Sequence, residues 1–539
     1  MARQAATTAP CATRATSSSN WTSTADPTTP PRATRLRSSS NNNNNSNNNN
    51  NNARGLLLRG PGQRDKEEGA RTRGGGVAAA SSPHATATRL PEYRGYTFWS
   101  SDFHIAPIAD LKDLFGPLGM KIIDESLSGH CHLKKTCAKN LDVLTKANGI
   151  DLRPCPNKVR RRFFERYKRD ARVRSVDAFL CHHAASMCEV FMPFNASLVV
   201  VASTRYEIGR HEPRRWRAWT ANLVAIARDP RNVVAANNRY DAEYVKYFTG
   251  LRDVPVLPNY CGYTGATYAP SRPEILVGPG RGVDERLFRE LVAVGDRRRR
   301  RRGAPTVASA PSFDFKRVRD LYPHFAYADL ARHPAVVLIP YQVSVMSIFE
   351  YYRMAIPMFA PAPALLAAWQ LEYRVLSERT WDLVRKKRPT RRSPVGPAVP
   401  AEWRHDPNDE FDKAAIEFWI KFADFYQWPH VATFDSFDHL CDLLATTDLG
   451  AVSQRIADHN AAMKADLLAQ WHRIFHDMFH DIPPAAQVPR PQILDYDAAM
   501  LAKYDVRVPP GECVGDTHEA SSSSTRPASA EGGLSAGPA

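Results

Sequence analysis

Short apolar runs alternate with helix-forming stretches through the middle of this chain, and this alternation constrains the fold more than any other feature. The segments VDAFLC and SLVVVAS are unbroken apolar runs that are typical of buried strands. Between SLVVVAS and the next run, NVVAANN, lies a stretch with helical periodicity, RWRAWTANLVAIAR. Strands that alternate with helices predict parallel sheets covered by helices on both faces. We therefore expect an α/β fold.

The alternation begins again near residue 274. EILVGPGRG is typical of a strand and a glycine turn, DERLFRELVAVG predicts a helix that ends at Gly295, and AVVLIP predicts another buried strand. The chain therefore contains two α/β units. We place the first at 91–268 and the second at 269–430, with a basic, proline-rich insertion at 384–410 and helices at 431–480.

The two ends of the chain have a different composition. Residues 1–90 include an asparagine-rich tract, and residues 506–539 are rich in serine, glycine and proline. Such segments bury too little apolar surface to fold, so both are predicted to be disordered tails. The first 25 residues contain arginine and many hydroxyl side chains but no acid, which fits an organelle transit peptide as well as a disordered tail.

The charge balance favours an acidic partner. The net charge of +16 suits a nucleic acid, an anionic lipid or a phosphorylated small molecule. Six consecutive arginines, Arg297–Arg302, supply part of this charge and predict a solvated loop. A nucleic-acid-associated protein that binds through this run is an alternative reading, although the chain has none of the common nucleic-acid-binding motifs.

Cysteine use and hydropathy bear on the compartment. The nine cysteines are irregularly spaced, so we expect no disulfide framework and a reducing environment. The sequence has no apolar run of 18 residues, so no transmembrane helix is expected. A cytoplasmic or plastid location is therefore favoured over secretion.

A single carboxylate stands out in the segment LIPYQVSVMSIFEYYRMAIPMFAP. A predicted strand ends here, a turn follows, and Glu350 lies near the start of the next helix. Ligands of open parallel sheets bind at the carboxyl ends of strands, where helix N–H groups can hold a phosphate. We expect Ser344 and Ser347 to contact a diphosphate, and Glu350 to accept hydrogen bonds from a ribose diol. An acid that only complements the helix dipole is the alternative.

Glu350 and Pro357 have the spacing of a known pattern. In GT-B glycosyltransferases a Glu opens a helix and a Pro follows seven residues later, before the next strand, and this chain resembles that family. The resemblance implies two Rossmann-like domains that face each other across a cleft, with the C-terminal helices packed on the first domain. It also implies transfer of a sugar from a nucleotide-sugar to a hydroxyl of a glycan, protein or small molecule, without metal or cofactor. Gly280 and Arg281, in a glycine turn, would then contact the diphosphate.

Two positions depart from the family pattern. Gln342 stands where many retaining members have a second Glu, and Ala355 stands where a Gly is usual. These differences count against the retaining pattern. They leave open an inverting enzyme and a non-catalytic, sugar-binding relative.

An inverting transferase needs a general base that faces the donor. The loop SSDFHIAP follows the first predicted strand, and we expect His104 to be the base, with Asp102 as its partner or as an acceptor contact. No metal site is expected, because the His and Cys residues at 130–137 match no common zinc spacing.

Overall fold

The computed structural model describes residues 92–280, 282–301, 313–385, 388–399, 405–489 and 495–504. The tails at 1–90 and 506–539, Arg281 and Arg302 lie outside the described residues. So do parts of the insertion at 384–410.

The described residues contain ten strands and sixteen α-helices. The strands are β1 Thr97–Ser100, β2 Lys121–Asp124, β3 Ala178–Cys181, β4 Ser197–Ala202, β5 Val233–Ala236, β6 Ile275–Gly278, β7 Phe315–Arg317, β8 Val336–Leu338, β9 Met358–Pro361 and β10 Ala432–Phe434. The helices are α1 Ile105–Phe115, α2 Pro156–Tyr167, α3 Ala171–Arg174, α4 Pro213–Arg228, α5 Arg239–Thr249, α6 Glu285–Arg301, α7 Val318–Leu321, α8 Tyr327–Leu330, α9 Met346–Arg353, α10 Pro363–Tyr373, α11 Trp381–Val384, α12 Lys413–Ile420, α13 Asp424–Gln427, α14 Phe437–Thr446, α15 Leu449–Phe479 and α16 Tyr496–Tyr504.

The strands form two parallel sheets with the same topology. The first sheet has the order β2-β1-β3-β4-β5 and the second the order β10-β9-β8-β6-β7. Counted from its own first strand, each sheet has the order 2-1-3-4-5, which is a doubly wound arrangement. The prediction of an α/β protein with two Rossmann-like domains across a cleft is confirmed. Strand β10 lies beyond residue 430, so the second sheet extends past the boundary that the sequence suggested.

The central strands are apolar because both of their faces are covered. All six residues of β4, SLVVVA, are buried, and so are all four of β3. Helix α4 covers one face with the fully buried Trp216 and Trp219. A strand that is buried on both sides reads as a continuous apolar run, which is why the sequence revealed these strands.

One long helix joins the two domains. Helix α15 has 31 residues and spans about 46 Å at 1.5 Å per residue. In its first half, Asn460 donates to the backbone carbonyl of Tyr352, 2.8 Å away, at the end of α9. In its second half, the Phe475 ring packs edge-on against Phe98 of β1 and Phe115 of α1.

The connection between the domains is fastened to α1. The buried Asp110 carboxylate accepts hydrogen bonds from the backbone N–H groups of Tyr260 and Cys261, at 2.8 and 2.7 Å, and from the Asn259 amide, at 3.1 Å. The chain that leaves the first domain therefore starts from a fixed point, and this fixes where the following residues enter the cleft.

The described residues include two disulfides with both partners in view, although the sequence suggested no disulfide framework. Cys131 pairs with Cys137, and Cys181 pairs with Cys188. The partners are only six and seven residues apart, because short 3-10 turns bring them together locally. Such pairs leave no framework-like spacing in the sequence, and they remove the ground on which a reducing compartment was expected. Within the part of the chain that the structure describes, no helix is long and apolar enough to span a lipid bilayer.

Candidate functional site

The cleft lies where the strand order of each sheet reverses. In the first sheet this point lies between β1 and β3, and in the second between β6 and β8. Open parallel sheets bind ligands beyond the carboxyl ends of the strands at such points. The loops that follow these strands line a cavity of about 1480 Å³. Pockets for small molecules usually have volumes of about 300–1,000 Å³, so this cavity is larger than most pockets for a single ligand.

Asp102 joins the two loops of the first domain. It is fully buried, and Oδ1 accepts the backbone N–H of His104 at 2.8 Å. Oδ2 accepts the N–H groups of His182 and His183 at 3.0 and 2.9 Å. Burial raises the pKa of Asp102 to about 7, against the opposing effect of the three N–H donors. The hydrogen bond from His104 comes from its backbone N–H, so Asp102 fixes the position of this loop.

His104 and His183 are stacked. Their ring centroids lie 4.1 Å apart with an interplanar angle of 16°. His104 is the exposed residue that precedes α1, and it lines the cleft. Burial lowers the pKa of His183 to about 4, so this ring is neutral at pH 7. The ring stacked on His104 therefore places no positive charge against it.

Glu350 lies in the wall of the cleft that the second domain forms. It is the fifth residue of α9 and is only 8% exposed. Its Oε1 accepts hydrogen bonds from the hydroxyls of Tyr263, at 2.8 Å, and Tyr327, at 2.7 Å. Burial raises the pKa of Glu350, whereas both hydroxyls and the charge of Lys134 act to lower it.

The other residues that were predicted to contact the nucleotide-sugar differ in their surroundings. Ser344 lines the cleft, but its hydroxyl accepts a hydrogen bond from the Asn238 amide of the first domain, 2.8 Å away. Ser347 is the second residue of α9 and also lines the cleft. Gly280 does too, and a Cβ at Gly280 would lie 3.8 Å from the nearest atom, on Arg319. Arg281 lies outside the described residues.

The structure shows the surroundings of Gln342 and Ala355, the two positions that depart from the family pattern. Gln342 is buried; its Nε2 donates to the Glu378 carbonyl at 2.6 Å, and its Oε1 accepts the N–H of Val343 at 2.8 Å. Ala355 follows α9 with a φ of 59°. This left-handed backbone favours glycine, which explains why a glycine would suit the position.

Several arginines that line the cleft were missed from the sequence, and two of them follow strands. Arg205 follows β4 and Arg319 follows β7, and both line the cleft. Arg205 is 2% exposed, and its guanidinium donates to the backbone carbonyl of Glu378. Thr204 and Arg205 have φ values of 90° and 54°, and the Asp241 carboxylate holds both of their N–H groups. For Arg205, the signal in the sequence was its position at the end of the predicted strand SLVVVAS.

The arginine run differs from its prediction. Its described part, residues 297–301, is the end of helix α6 and not a loop. The helix continues through Gly295, where a Cβ would come within 3.2 Å of Phe315, so the glycine permits close packing. Arg298 contacts Asp442 at 2.5 Å and Asp438 at 3.4 Å on α14.

In the described ranges, no three His, Cys, Asp or Glu side chains are grouped so that they could hold a metal ion. His132 lies within the loop that the Cys131–Cys137 disulfide closes, and His130 directly precedes this loop.

Comparisons with known proteins give limited information. No family model and no curated protein matches the sequence. Matching solved structures include the glycotransferase of kitacinnamycin, which is 12% identical, with 72% of this chain and 100% of that chain covered and a TM-score of 0.38. They also include the glycosyltransferase SnogD from Streptomyces nogalater, which is 11% identical, with 71% and 99% covered and a TM-score of 0.32. At these TM-scores the likenesses carry no argument here, and the fold rests on the two sheets.

Proposed function

We propose that this chain is a glycosyltransferase that moves a sugar from a nucleotide-sugar to a hydroxyl acceptor. The observation that carries the proposal is the placement of Glu350 in the wall of the cleft at the strand-order reversal of the second sheet. Both tyrosine bonds are made to Oε1, so Oε2 is the oxygen that would accept the hydroxyls of a ribose.

The surroundings of Glu350 suit the rest of a nucleotide-sugar. The first turn of α9 lines the cleft with Met346 and Ser347, and helix N–H groups at such a place bind phosphate. Arg319 adds positive charge to the same cavity, and Arg205 lines it beside the buried Glu207 carboxylate, 3.3 Å away. These groups would stabilise the departing diphosphate electrostatically, without a metal ion.

His104 faces this site from the first domain. In the proposed reaction the acceptor oxygen attacks the anomeric carbon, the bond from that carbon to the diphosphate breaks, and His104 takes the acceptor proton. Direct attack of this kind inverts the anomeric centre, an outcome that the configuration of the product would reveal.

The test is a thermal-shift panel on the full chain with UDP, GDP, ADP and dTDP. A nucleotide at about 100 times its Kd should stabilise the protein by roughly 2.7 kcal/mol. Glu350→Gln keeps the volume and an oxygen for the tyrosines, but replaces the other oxygen by an NH₂ donor, so the shift should be lost. The matched control is Glu372→Gln, an exposed acid of α10.

The outcomes separate the candidate functions. Stabilisation by one nucleotide, lost only in Glu350→Gln, supports the donor site and names its base. Binding of the matching nucleotide-sugar without transfer or hydrolysis would favour the non-catalytic relative. No response to any nucleotide would overturn the proposal.

A further inference from the structure

A disulfide closes a loop of the first domain at the edge of the cleft. The loop follows β2, and its two arms are held by backbone hydrogen bonds from Ser126 to Thr136, at 2.8 Å, and from Ala138 to Ser126, at 3.0 Å. The Cys131–Cys137 disulfide ties the arms covalently. The tip is a 3-10 turn, Cys131–Lys134. The backbone hydrogen bonds and the disulfide therefore fix the position of the tip.

The tip of this loop faces the Glu350 cluster of the other domain. His130 and Leu133 line the same cavity as Glu350, and the Leu133 side chain is 64% exposed. Lys134 Nζ lies over the face of the Tyr263 ring, 6.0 Å from its centroid, which is within the range of a cation–π interaction. Tyr263 in turn donates to Glu350. A charge of the first domain thus stands beside the carboxylate of the second.

We propose that the disulfide-closed loop 131–137 is a positioning element of the nucleotide-sugar site, because it holds the Lys134 ammonium over Tyr263 and beside Glu350. The consequence is that loss of Lys134, or reduction of Cys131–Cys137, weakens nucleotide binding. This inference rests on the proposed function of the cleft.

The charged and titratable groups around Glu350 determine how the loss of Lys134 changes the pH dependence of nucleotide binding. The titratable groups that bear on it are Tyr263 and Cys261 from the domain connection, Tyr327 from α8, Tyr351 from α9 and Lys134 from the loop. Lys134 is the cation of this set and lowers the pKa of Glu350, whereas burial raises it. Without Lys134 the carboxylate takes up a proton at higher pH, so nucleotide binding is lost earlier as the pH falls.

The experiment measures the Kd of the nucleotide identified above as a function of pH. Lys134→Met should weaken binding roughly two- to fivefold, the range of an exposed charge pair, and should move the acid limb of the profile to higher pH. Lys134→Arg should restore both. Lys135→Met is the matched control, since it removes the neighbouring charge of the same loop and is not among the groups that shift the pKa of Glu350.

The disulfide is tested in the same assay. Dithiothreitol breaks the S–S bond to give two thiols, and the reagent becomes its own cyclic disulfide. Cys181 and Cys188 are fully buried, whereas Cys131 and Cys137 are partly exposed, so mild treatment reduces the loop first. The Cys131→Ser/Cys137→Ser double variant should bind as weakly as the reduced protein, and the reagent should add nothing to it.

The outcomes are distinguishable. If Lys134→Met and Lys135→Met bind alike while Glu350→Gln still abolishes binding, this inference fails and the proposed function stands. If the oxidised wild type binds no nucleotide, both fail. Because Lys134 is exposed, its variants fold like the wild type, so they decide the question even if the double cysteine variant does not fold.

Discussion

The hydroxyl of Tyr263 donates to Oε1 of Glu350 over 2.8 Å. Tyr263 belongs to the connection between the domains, which Asp110 fastens to α1, and Glu350 belongs to the second domain. The position of the carboxylate is therefore set partly by the linker. A second hydroxyl, from Tyr327, reaches the same oxygen. Two donors on one oxygen fix the rotation of the carboxylate and direct Oε2 for a ligand.

This arrangement predicts the effect of removing either hydroxyl. Tyr263→Phe and Tyr327→Phe keep the rings but delete a donor worth about 0.5–1.5 kcal/mol, so each should raise the Kd for nucleotide roughly two- to tenfold. Both hydroxyls lower the pKa of Glu350, so the acid limb of binding should also move to higher pH. The measurement is a calorimetric titration at several pH values. The control is Tyr268→Phe, whose hydroxyl donates to the Pro334 carbonyl instead. Unchanged affinity in both cleft variants would contradict the role given to Glu350.

The raised pKa of Asp102 predicts that the stability of the folded protein depends on pH. Its ordinary pKa is 3.8, and burial raises the pKa in the folded protein to about 7. Between these values the folded protein holds a proton that the unfolded chain has released, so the contribution of Asp102 to stability is fully present below pH 3.8 and is lost as the pH rises through 7. The contribution that is lost over this interval is about 4 kcal/mol, because one pKa unit corresponds to about 1.4 kcal/mol. Asp102→Asn should remove this part of the slope in urea unfolding between pH 4.5 and 7.5.

The same substitution carries a constant cost. An amide offers one oxygen where the carboxylate offers two, so at least one of the N–H groups of His104, His182 and His183 loses its acceptor. A destabilisation of about 1–3 kcal/mol is expected at every pH. Asp477→Asn, whose side chain is 77% exposed, is the control and should change neither quantity. A slope in Asp102→Asn equal to that of the wild type would show that another group titrates.

His104 is expected to affect turnover and not donor binding. His104→Gln should lower the transfer rate by about 10²–10⁴, the usual contribution of a general base, and should leave nucleotide affinity unchanged. The helix start should tolerate the change, because the His104 side chain makes no capping hydrogen bond. His132→Gln, an exposed histidine of the disulfide loop, is the control. Normal turnover in His104→Gln would point to a carboxylate of the same cleft, Asp151, Glu212 or Glu378, as the base.

Much of the fold could be predicted from the sequence because the strands are short and buried on both faces. β4 shows this most clearly, since all six of its residues are buried and apolar or small. The end of each such strand then indicates the rim of the cleft, which is how Asp102, His104 and Glu350 were placed there. Their location depended only on local pattern and on the general geometry of parallel sheets.

The contacts within the site could not be predicted in this way. Tyr263 and Tyr327 reach Glu350 from positions 87 and 23 residues away in the chain, and the partners of Asp102 include N–H groups 80 residues away. No periodicity connects such positions. The backbone partners of Asp102 could not be predicted for the same reason, since they come together only once β1 and β3 pair.

Replacing Ala355 by glycine tests whether the glycine of the family pattern relieves backbone strain at this position. Its φ of 59° costs a residue with a Cβ about 1–2 kcal/mol relative to glycine. Glycine loses about 0.5–1 kcal/mol more chain entropy on folding, so Ala355→Gly should stabilise the protein by up to about 1 kcal/mol in urea unfolding. Ala331→Gly is the control: Ala331 is also buried but has a φ of −66°, so the same change should destabilise the protein by about 0.5–1 kcal/mol. A loss of stability in both variants would mean that the packing of the Ala355 methyl group outweighs its backbone strain.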